Sequence, residues 1–211
     1  MIVHLFIYLR IMRLRDTTKE ELVRKRAIDV LGKEGFEGFS MNKLARACGI
    51  SVATLYIYYK HKDDLIIAIA TEELAKMNEA ILKGFNPQLS FAEGLWVQWN
   101  NRASYMLKHP GVALFLEQLR SSTYHKDVFP GITKNFSGIM GQFMKNAIKN
   151  KEIDPMPLEV FWSVAYGPLY TLLRFHNEGR SVAGRPFSFS KKILEETFER
   201  VLMALVKKSK P

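Results

Sequence analysis

Residues 41–55 decide the fold, and they read MNKLARACGISVATL. Counted from Met41, Ala45 is the fifth residue, Gly49 the ninth and Leu55 the fifteenth. Two helices that cross closely leave room only for a small side chain at the fifth position, and the turn needs a residue that tolerates positive φ at the ninth. The second helix needs an apolar anchor at the fifteenth. The pattern predicts a helix-turn-helix, with an ordinary helical hairpin as the alternative.

Capping residues mark the helix ends around this motif. Ser40 and Ser51 precede its two helices, and serine side chains accept hydrogen bonds from the first free N–H groups of a helix. Upstream, Thr18 and Glu21 have the spacing of a capping box, and Gly35 is suited to end the helix between. The sequence therefore predicts helices at about 18–35, 40–48 and 51–58, before a longer one at 62–83.

The stretch from Gly49 to Leu65, GISVATLYIYYKHKDDL, resembles the signature of the TetR family of bacterial regulators, approximately G-V-S-x-x-T-L-Y-x-Y-F-x-S-K-E-E-L. The resemblance covers about residues 18–75 and is highly specific, because it joins the turn, the recognition helix and the next helix in one register. It departs from the signature at Tyr59 and at His61, where the family usually has phenylalanine and serine. Histidine is the poorer N-cap of the two.

The resemblance implies which residues bind DNA. Base contacts are implied at Val52 and Ala53, and phosphate or base contacts at Thr54 and Tyr56. Val52 and Ala53 offer only apolar contacts, for example to thymine methyl groups, so we expect part of the specificity from basic residues of the preceding helix and from DNA shape. The predicted DNA-binding set is Ser40, Lys43, Arg46, Ser51, Val52, Ala53, Thr54, Tyr56, Tyr58, Lys60 and Lys62.

Positive charge is concentrated in this module. The 211 residues include 31 Lys+Arg and 21 Asp+Glu, for a formal net charge of +10. Residues 13–62 alone hold eleven Lys or Arg and six Asp or Glu. Such an excess favours a polyanionic partner. We accordingly expect Tyr58, Lys60 and Lys62 to bind phosphate, Lys62 with help from the N-terminus of the next helix.

Composition excludes several classes of protein. The chain is 47% hydrophobic and 25% charged, which is ordinary for a globular protein of one average or two small domains. A single cysteine, Cys48, rules out a disulfide scaffold and fits a cytoplasmic location. Cys48 is either a buried turn residue or a redox-sensing thiol. The histidines show no metal-ligand pairing and no catalytic constellation appears, so the sequence predicts neither an enzyme nor a cofactor.

Helical signals continue to the end of the chain, and Ser90 with Glu93 forms a second capping box. Pro130-Gly131 and Gly179 through Pro186 indicate breaks. The expected fold is all-α with about nine helices, the later ones at about 91–108, 111–121, 131–150, 157–177 and 190–208. The expected domains are an N-terminal extension at 1–16, a helix-turn-helix domain at 17–65 and a helical ligand-binding and dimerisation domain at 66–211.

Residues 160–173 contain no charge, and Pro168 is expected to kink their helix. A helix that is apolar on all sides needs cover on all sides, and a partner subunit would supply it. The last helix carries an apolar stripe, and two helices from each subunit would form a four-helix bundle about a two-fold axis. The predicted homodimer interface is Val164, Leu194, Phe198, Val201, Leu202 and Leu205.

The middle helices are rich in aromatic residues. The resemblance implies that such helices enclose a ligand pocket, although any single aromatic residue could equally be part of the core. Few charges share these faces, so we expect a largely apolar effector. The predicted ligand-binding set is Trp96, Trp99, Tyr105, Phe115, Phe143, Trp162, Tyr166 and Tyr170.

The first twelve residues, MIVHLFIYLRIM, are apolar but too short to span a membrane. They are an upstream extension with Met12 as the natural start, an additional packed segment, or a membrane anchor. The first of these is the preferred interpretation, so no membrane partner is expected.

These features predict a ligand-responsive transcriptional regulator, and repression is the family's usual mode. A homodimer would bind a palindromic operator of double-stranded DNA, and a small, mostly apolar effector would release it through the helix at 62–83. The alternative is a helical small-molecule binding protein whose DNA-binding module is vestigial.

Overall fold

The computed structural model describes residues 17–207, and for residues 17, 18 and 130–136 it describes the backbone alone. Ten helices lie in this part of the chain, and the all-α prediction is confirmed. The extension predicted at 1–16 lies outside the described residues. The helices are α1 (Thr17–Gly38), α2 (Met41–Cys48), α3 (Val52–Tyr58), α4 (Lys62–Leu82), α5 (Phe91–Lys108), α6 (Pro110–Arg120), α7 (His125–Lys149), α8 (Leu158–Ala165), α9 (Gly167–Glu178) and α10 (Lys191–Leu205).

The chain forms two compact units. Among residues 17–207, the first contains the residues up to Ala70 together with Gly111–Lys126, and the second contains Thr71–Pro110 together with the residues from Asp127 onward. Helix α4 therefore begins in the first unit and ends in the second. The first unit contains a segment, Gly111–Lys126, that the sequence assigned to the ligand-binding domain.

Local capping chemistry accounts for several helix ends. Gly35 adopts φ 72° and interrupts the regular geometry of α1, as its conformational freedom predicts. Ser90 and Glu93 form the predicted capping box at the start of α5. The cap predicted at Thr18 does not mark the beginning of α1, because the helix already includes Thr17.

Helix α7 differs from the prediction at its N-terminal end. We expected a break at Pro130-Gly131 and a helix from 131, but the helix begins at His125 and continues through both residues. A proline removes only one backbone hydrogen bond. The remaining hydrogen bonds of this 25-residue helix keep the segment around Pro130 helical.

The helix predicted at 157–177 is two helices, α8 and α9. Tyr166 separates them with φ −123° and ψ −22°. Pro168, two residues later, has no N–H to donate to the carbonyl of Val164, and it lies in the first turn of α9, where prolines are tolerated. The indole Nε1 of Trp99 donates to the carbonyl of Ala165 at 2.7 Å. A buried side chain thus satisfies a carbonyl at the break.

The core of the second unit is built mainly on α5. Helices α9 and α10 pack against α5, and α8 packs against both of them. Phe91 begins α5, lies parallel to Phe143 of α7 at 5.8 Å between ring centroids, and is fully buried. The side chains of Gln98 and Asn101 donate to the carbonyl of Ile81 at 3.1 and 2.9 Å, and so satisfy the C-terminal end of α4.

Candidate nucleic-acid interface

The turn between α2 and α3 has the geometry that the sequence predicts. Gly49 adopts φ 66° and ψ 29°, in the left-handed region that disfavours residues with a Cβ. Its N–H donates to the carbonyl of Arg46 at 3.1 Å, and the N–H of Ile50 donates to the carbonyl of Ala45 at 3.0 Å. These bonds close the C-terminus of α2 and turn the chain sharply into α3.

Serine caps fix the beginning of both helices. The Oγ of Ser40 accepts the N–H of Lys43 at 3.3 Å, and the Oγ of Ser51 accepts the N–H of Thr54 at 3.2 Å. The hydroxyls of Ser51 and Thr54 also lie 2.9 Å apart, within hydrogen-bond distance. Both serines therefore act on their own helices, as their positions predict.

One face of the motif is core and the other is exposed. Leu55 is fully buried, and the inward residues of α2 are buried as well, namely Met41, Leu44, Ala45 and Cys48. The opposite face of α3 exposes Ala53, Tyr56 and Ile57, the last two with 51% and 80% of their surface accessible. Val52, Thr54 and Tyr58 are half-buried. An exposed face of small and apolar groups is available for close approach to another surface.

Ile57 belongs to this face and was missed by the sequence analysis. The residue lies one position after Tyr56 and one turn beyond Ala53, so helical spacing places all three on one side. Isoleucine is usually a core residue, so its residue type did not indicate an exposed position. The helical spacing itself was the signal.

The charges of α2 are engaged by their own chain. The Nζ of Lys43 donates to Glu34 Oε2 at 2.6 Å and to the carbonyl of Gly38 at 2.8 Å. The Nε of Arg46 lies 3.4 Å from the carbonyl of Asn42. Both side chains are on the surface, but Lys43 joins α2 to the end of α1 instead of projecting freely.

His61 is a better cap than its residue type suggests. Its Nδ1 accepts the N–H of Asp64 at 3.1 Å, and the carboxylate of Asp64 accepts the N–H of Lys60 at 2.9 Å. This reciprocal pair replaces the expected serine cap at the start of α4. The side chain of Lys60 is exposed.

Lys62 does not lie as a phosphate ligand would. Its Nζ donates to the carbonyl of Phe36 at 2.6 Å and lies 5.8 Å from the ring centroid of Phe39. The side chain is half-buried. Its ammonium group therefore connects the start of α4 to the end of α1, and the phosphate contact expected of it stays a prediction.

Cys48 occupies the buried side of the turn. Burial raises the pKa of its thiol, and the charge of Arg26 offsets this only in part. A thiol that stays protonated is a poor nucleophile. Its placement agrees with a buried turn residue and argues against a redox-sensing thiol.

Four of the predicted interface residues are core of the second unit. Leu194, Phe198, Val201 and Leu205 are buried by their own chain, so this stripe of α10 is not an open surface. Helical periodicity identified the buried face correctly but not what covers it. Val164 and Leu202 remain half-exposed, and Leu158, Val160 and Met203 are exposed.

The predicted ligand-binding aromatics do not form one group. Trp99, Phe143 and Tyr166 are fully buried in the second unit. Phe115 lies in the first unit, where its ring is 6.0 Å from that of Phe36, and this corrects its assignment to the pocket. The remaining four residues are half-buried in the second unit: Trp96, Tyr105, Trp162 and Tyr170.

An open groove of about 450 Å³ lies beside Trp96 and Phe198. Its other lining residues are Ala92 and three carboxylates, those of Glu93, Glu195 and Glu199. This acidic groove differs from the enclosed apolar pocket that the sequence predicted.

The second unit also holds a polar cluster that the sequence analysis missed. Gln98 and Arg102 are 0% and 2% exposed, and they lie on the buried stripe of α5 with Phe91, Leu95 and Trp99. A polar residue on an otherwise apolar stripe was the available signal.

Among residues 17–207, no helix combines the length and apolarity needed to cross a membrane. Within the same residues, no three His, Cys, Asp or Glu side chains are grouped so as to hold a metal ion.

Comparison with known proteins identifies the module. The family described as bacterial regulatory proteins, tetR family, matches residues 23–69. A helix-turn-helix-type transcriptional regulator from Haemophilus influenzae is 26% identical over 121 residues, which are 57% of this chain and 65% of that protein. The fatty acid metabolism regulator protein of Bacillus subtilis is 22% identical over 129 residues, 60% of this chain and 66% of that protein. The chain thus matches just under two thirds of the length of these relatives.

The fold extends the likeness over nearly the whole chain. A TetR family transcription regulator from Marinobacter aquaeolei superimposes with a TM-score of 0.77 at 24% identity, over 93% of this chain and all of that one. The motif, the fold and the family match agree. Residues 23–69 therefore match the helix-turn-helix module of the tetR family of bacterial regulatory proteins, and the chain shares the fold of TetR family regulators.

Proposed function

We propose that the protein is a repressor that binds a palindromic DNA operator as a homodimer and is released by a small, mostly apolar effector. The observation that carries the proposal is the geometry of α2 and α3. Gly49, in the left-handed backbone conformation, and the caps at Ser40 and Ser51 fix the recognition helix. The outer face of this helix exposes Ala53, Tyr56 and Ile57. A helix held in this way enters the major groove with its N-terminal residues.

The exposed face suggests how the operator is read. Ala53 and Ile57 offer methyl groups that suit the C5-methyl of thymine, and the hydroxyl of Tyr56 can reach a phosphate or a base edge. Ser40, Ser51, Thr54 and Lys60 would position the helix on the backbone. Lys43 and Lys62 would act indirectly, by holding α2 and α4 against the end of α1.

Dimerisation is proposed through the outer faces of α8 and α10. Leu158 and Met203 are each 67% exposed and Val160 is 49% exposed, with Val164 and Leu202 half-buried on the same helices. Exposed apolar side chains grouped on neighbouring helices favour a protein partner. A two-fold axis at this face would give the operator its inverted symmetry.

The effector is proposed to bind in the second unit. The Bacillus subtilis relative is a fatty acid metabolism regulator, which supports an effector with an apolar body. Effector binding would act on DNA through α4, which is continuous from one unit to the other. It releases DNA only if the effector binds the two conformations with different affinity.

Selection from a random pool of DNA duplexes tests this function. The purified protein is expected to enrich one inverted repeat, with half-sites whose centres lie about one helical turn, or a multiple of it, apart. Enrichment of a single site without symmetry would contradict the dimer. Recovery of an unchanged pool would support a vestigial DNA-binding module and would refute the proposal.

A further inference from the structure

A buried cation lies among aromatic rings in the second unit. Arg102 of α5 is 2% exposed. Its Nη1 donates to the hydroxyl of Tyr170 at 2.8 Å, and its Nη2 donates to Oε1 of Gln98 at 3.3 Å. The guanidinium carbon lies 4.4 Å from the ring centroid of Tyr166 and 5.4 Å from that of Trp162. We call these five residues the arginine cluster.

The hydroxyl of Tyr166 is the second observation. The residue is fully buried beside the guanidinium of Arg102, and within the part of the chain that the structure describes its hydroxyl makes no well-formed hydrogen bond. Buried tyrosine hydroxyls usually find a partner, because an unmade hydrogen bond is costly in a medium without water. Burial raises the pKa of this phenol and the neighbouring charge of Arg102 offsets this only in part, so the phenol keeps its proton and can donate.

The arginine cluster has a buried floor and a half-exposed rim. Gln98, Arg102 and Tyr166 are buried, whereas Trp162 and Tyr170 are half-buried and reach the surface. The bond between Arg102 and Tyr170 is itself only partly buried. A ligand that displaced the hydroxyl of Tyr170 would meet the guanidinium directly.

We propose that the arginine cluster binds the acidic head group of the effector, a carboxylate carried on an apolar body. A guanidinium presents a planar fork of donors that matches the two oxygens of a carboxylate, and charge-assisted bonds of this kind are stronger than neutral ones. The phenol of Tyr166 donates to one of the same oxygens. This inference rests on the proposed function, because it specifies the effector of the same unit.

Direct binding of matched probes tests the proposal. Decanoate and decan-1-ol have the same chain and differ in the charge of the head group, and methyl decanoate retains the carbonyl without the charge. Tryptophan fluorescence of the full-length protein is the readout, since Trp162 belongs to the cluster. We expect decanoate to bind at least about tenfold more tightly than either neutral probe. Equal affinity for the three probes, or no binding of decanoate, would overturn the proposal.

Removal of one hydroxyl group tests the role of Tyr166. Tyr166→Phe removes only the hydroxyl, so the free protein should keep or raise its melting temperature, because an unsatisfied group is lost. The same variant should bind decanoate about tenfold more weakly. Tyr124→Phe, the same change in the first unit, should bind decanoate as the wild type does. Unchanged binding by Tyr166→Phe would overturn the proposal.

Arg102→Gln adds a test of charge. It should reduce the preference for decanoate over decan-1-ol to near unity, and Tyr166→Phe remains decisive if this variant fails to fold.

The experiments distinguish failure of the DNA-binding proposal from failure of the carboxylate proposal. Selection of an operator with no carboxylate binding refutes only the acidic head group, and carboxylate binding without operator selection refutes only the DNA-binding function.

Discussion

The ammonium group of Lys62 donates to the carbonyl oxygen of Phe36 at 2.6 Å, across 26 residues of sequence. This bond joins the first residue of α4 to the segment that follows the kink of α1. A lysine that resembles a DNA contact in the sequence is thereby part of the framework that holds the motif.

Substitution of two neighbouring lysines separates framework from DNA contact. Lys62→Met should lower the free energy of unfolding by about 1 kcal/mol through loss of this bond, with the salt dependence of DNA binding unchanged. Lys60→Met, at an exposed side chain, should leave stability unchanged and reduce the salt slope by about one unit per protomer. Urea unfolding and affinity at several salt concentrations measure the two effects. The reverse pattern would restore Lys62 as a phosphate ligand.

Gly94 lies where α5 approaches α7. A Cβ at this position would be 2.4 Å from a carbon of the Phe143 ring, which is fully buried and packed between Phe85 and Phe91. Because that ring can shift only by displacing its neighbours, Gly94→Ala should destabilise the protein by about 1–3 kcal/mol.

Gly141 of α7 is the matched control for this prediction. Nothing lies within 4 Å of a Cβ built there, so Gly141→Ala should stabilise the protein by about 0.5–1 kcal/mol through helix propensity. Chemical denaturation measures both variants. A stable Gly94→Ala protein would mean that the contact between α5 and α7 is looser than described.

Tyr124 donates to Oδ1 of Asp63 at 2.5 Å within the first unit. Burial, together with this hydrogen bond, raises the pKa of the Tyr124 phenol from 10.0 to about 12. The folded state therefore favours the protonated phenol. Its contribution to stability is complete below pH 10 and disappears as the pH rises through 12.

Ultraviolet titration of tyrosinate tests this assignment. The wild type should contain a tyrosine, besides the fully buried Tyr166, that ionises near pH 12, and Tyr124→Phe should lose that step while its stability falls less steeply between pH 10 and 12. An Asp63→Asn variant should shift the same step downward. A Tyr124→Phe variant that keeps every late-titrating tyrosine of the wild type would show that the bond is absent in solution.

The proposed dimer face predicts a change of oligomeric state. Val160→Lys and Met203→Lys each place a charge on the exposed faces of α8 and α10, so both should yield folded monomers in sedimentation experiments. Val182→Lys, at an exposed residue in the loop after α9, should remain a dimer. If both helix variants remain dimers, the interface does not lie on these faces of α8 and α10.

The motif could be predicted because its chemistry is local. Gly49 needs only its own backbone angle, and Ser40 and Ser51 bond to residues three positions away. Other features depend on distant partners. The contact of Lys62 with Phe36 and the cover over Leu194 and Phe198 arise from tertiary packing, which periodicity does not reveal. The same holds for α7, because the length of this helix allows it to continue through Pro130.

Arg102 is a residue that the sequence analysis did not assign to any site, although its position indicated burial. Few charges were expected on the faces rich in aromatic residues. Arg102 is one of them and is buried, whereas Arg174 lies at the surface beside Glu178. Arg102 follows Trp99 by three residues on a stripe that is otherwise largely apolar. Its helical spacing indicated burial, but the partners that make burial tolerable come from α8 and α9.

The most direct test of the central claim uses the duplex selected by the protein and a scrambled duplex of the same composition. The wild type should prefer the selected duplex strongly and lose affinity steeply between two salt concentrations. Tyr56→Ala, at a side chain 51% exposed on α3, should lose about tenfold in affinity for the selected duplex without a change in melting temperature. Equal and weak binding of the wild type to both duplexes, or a Tyr56→Ala variant that binds as the wild type does, would contradict the account.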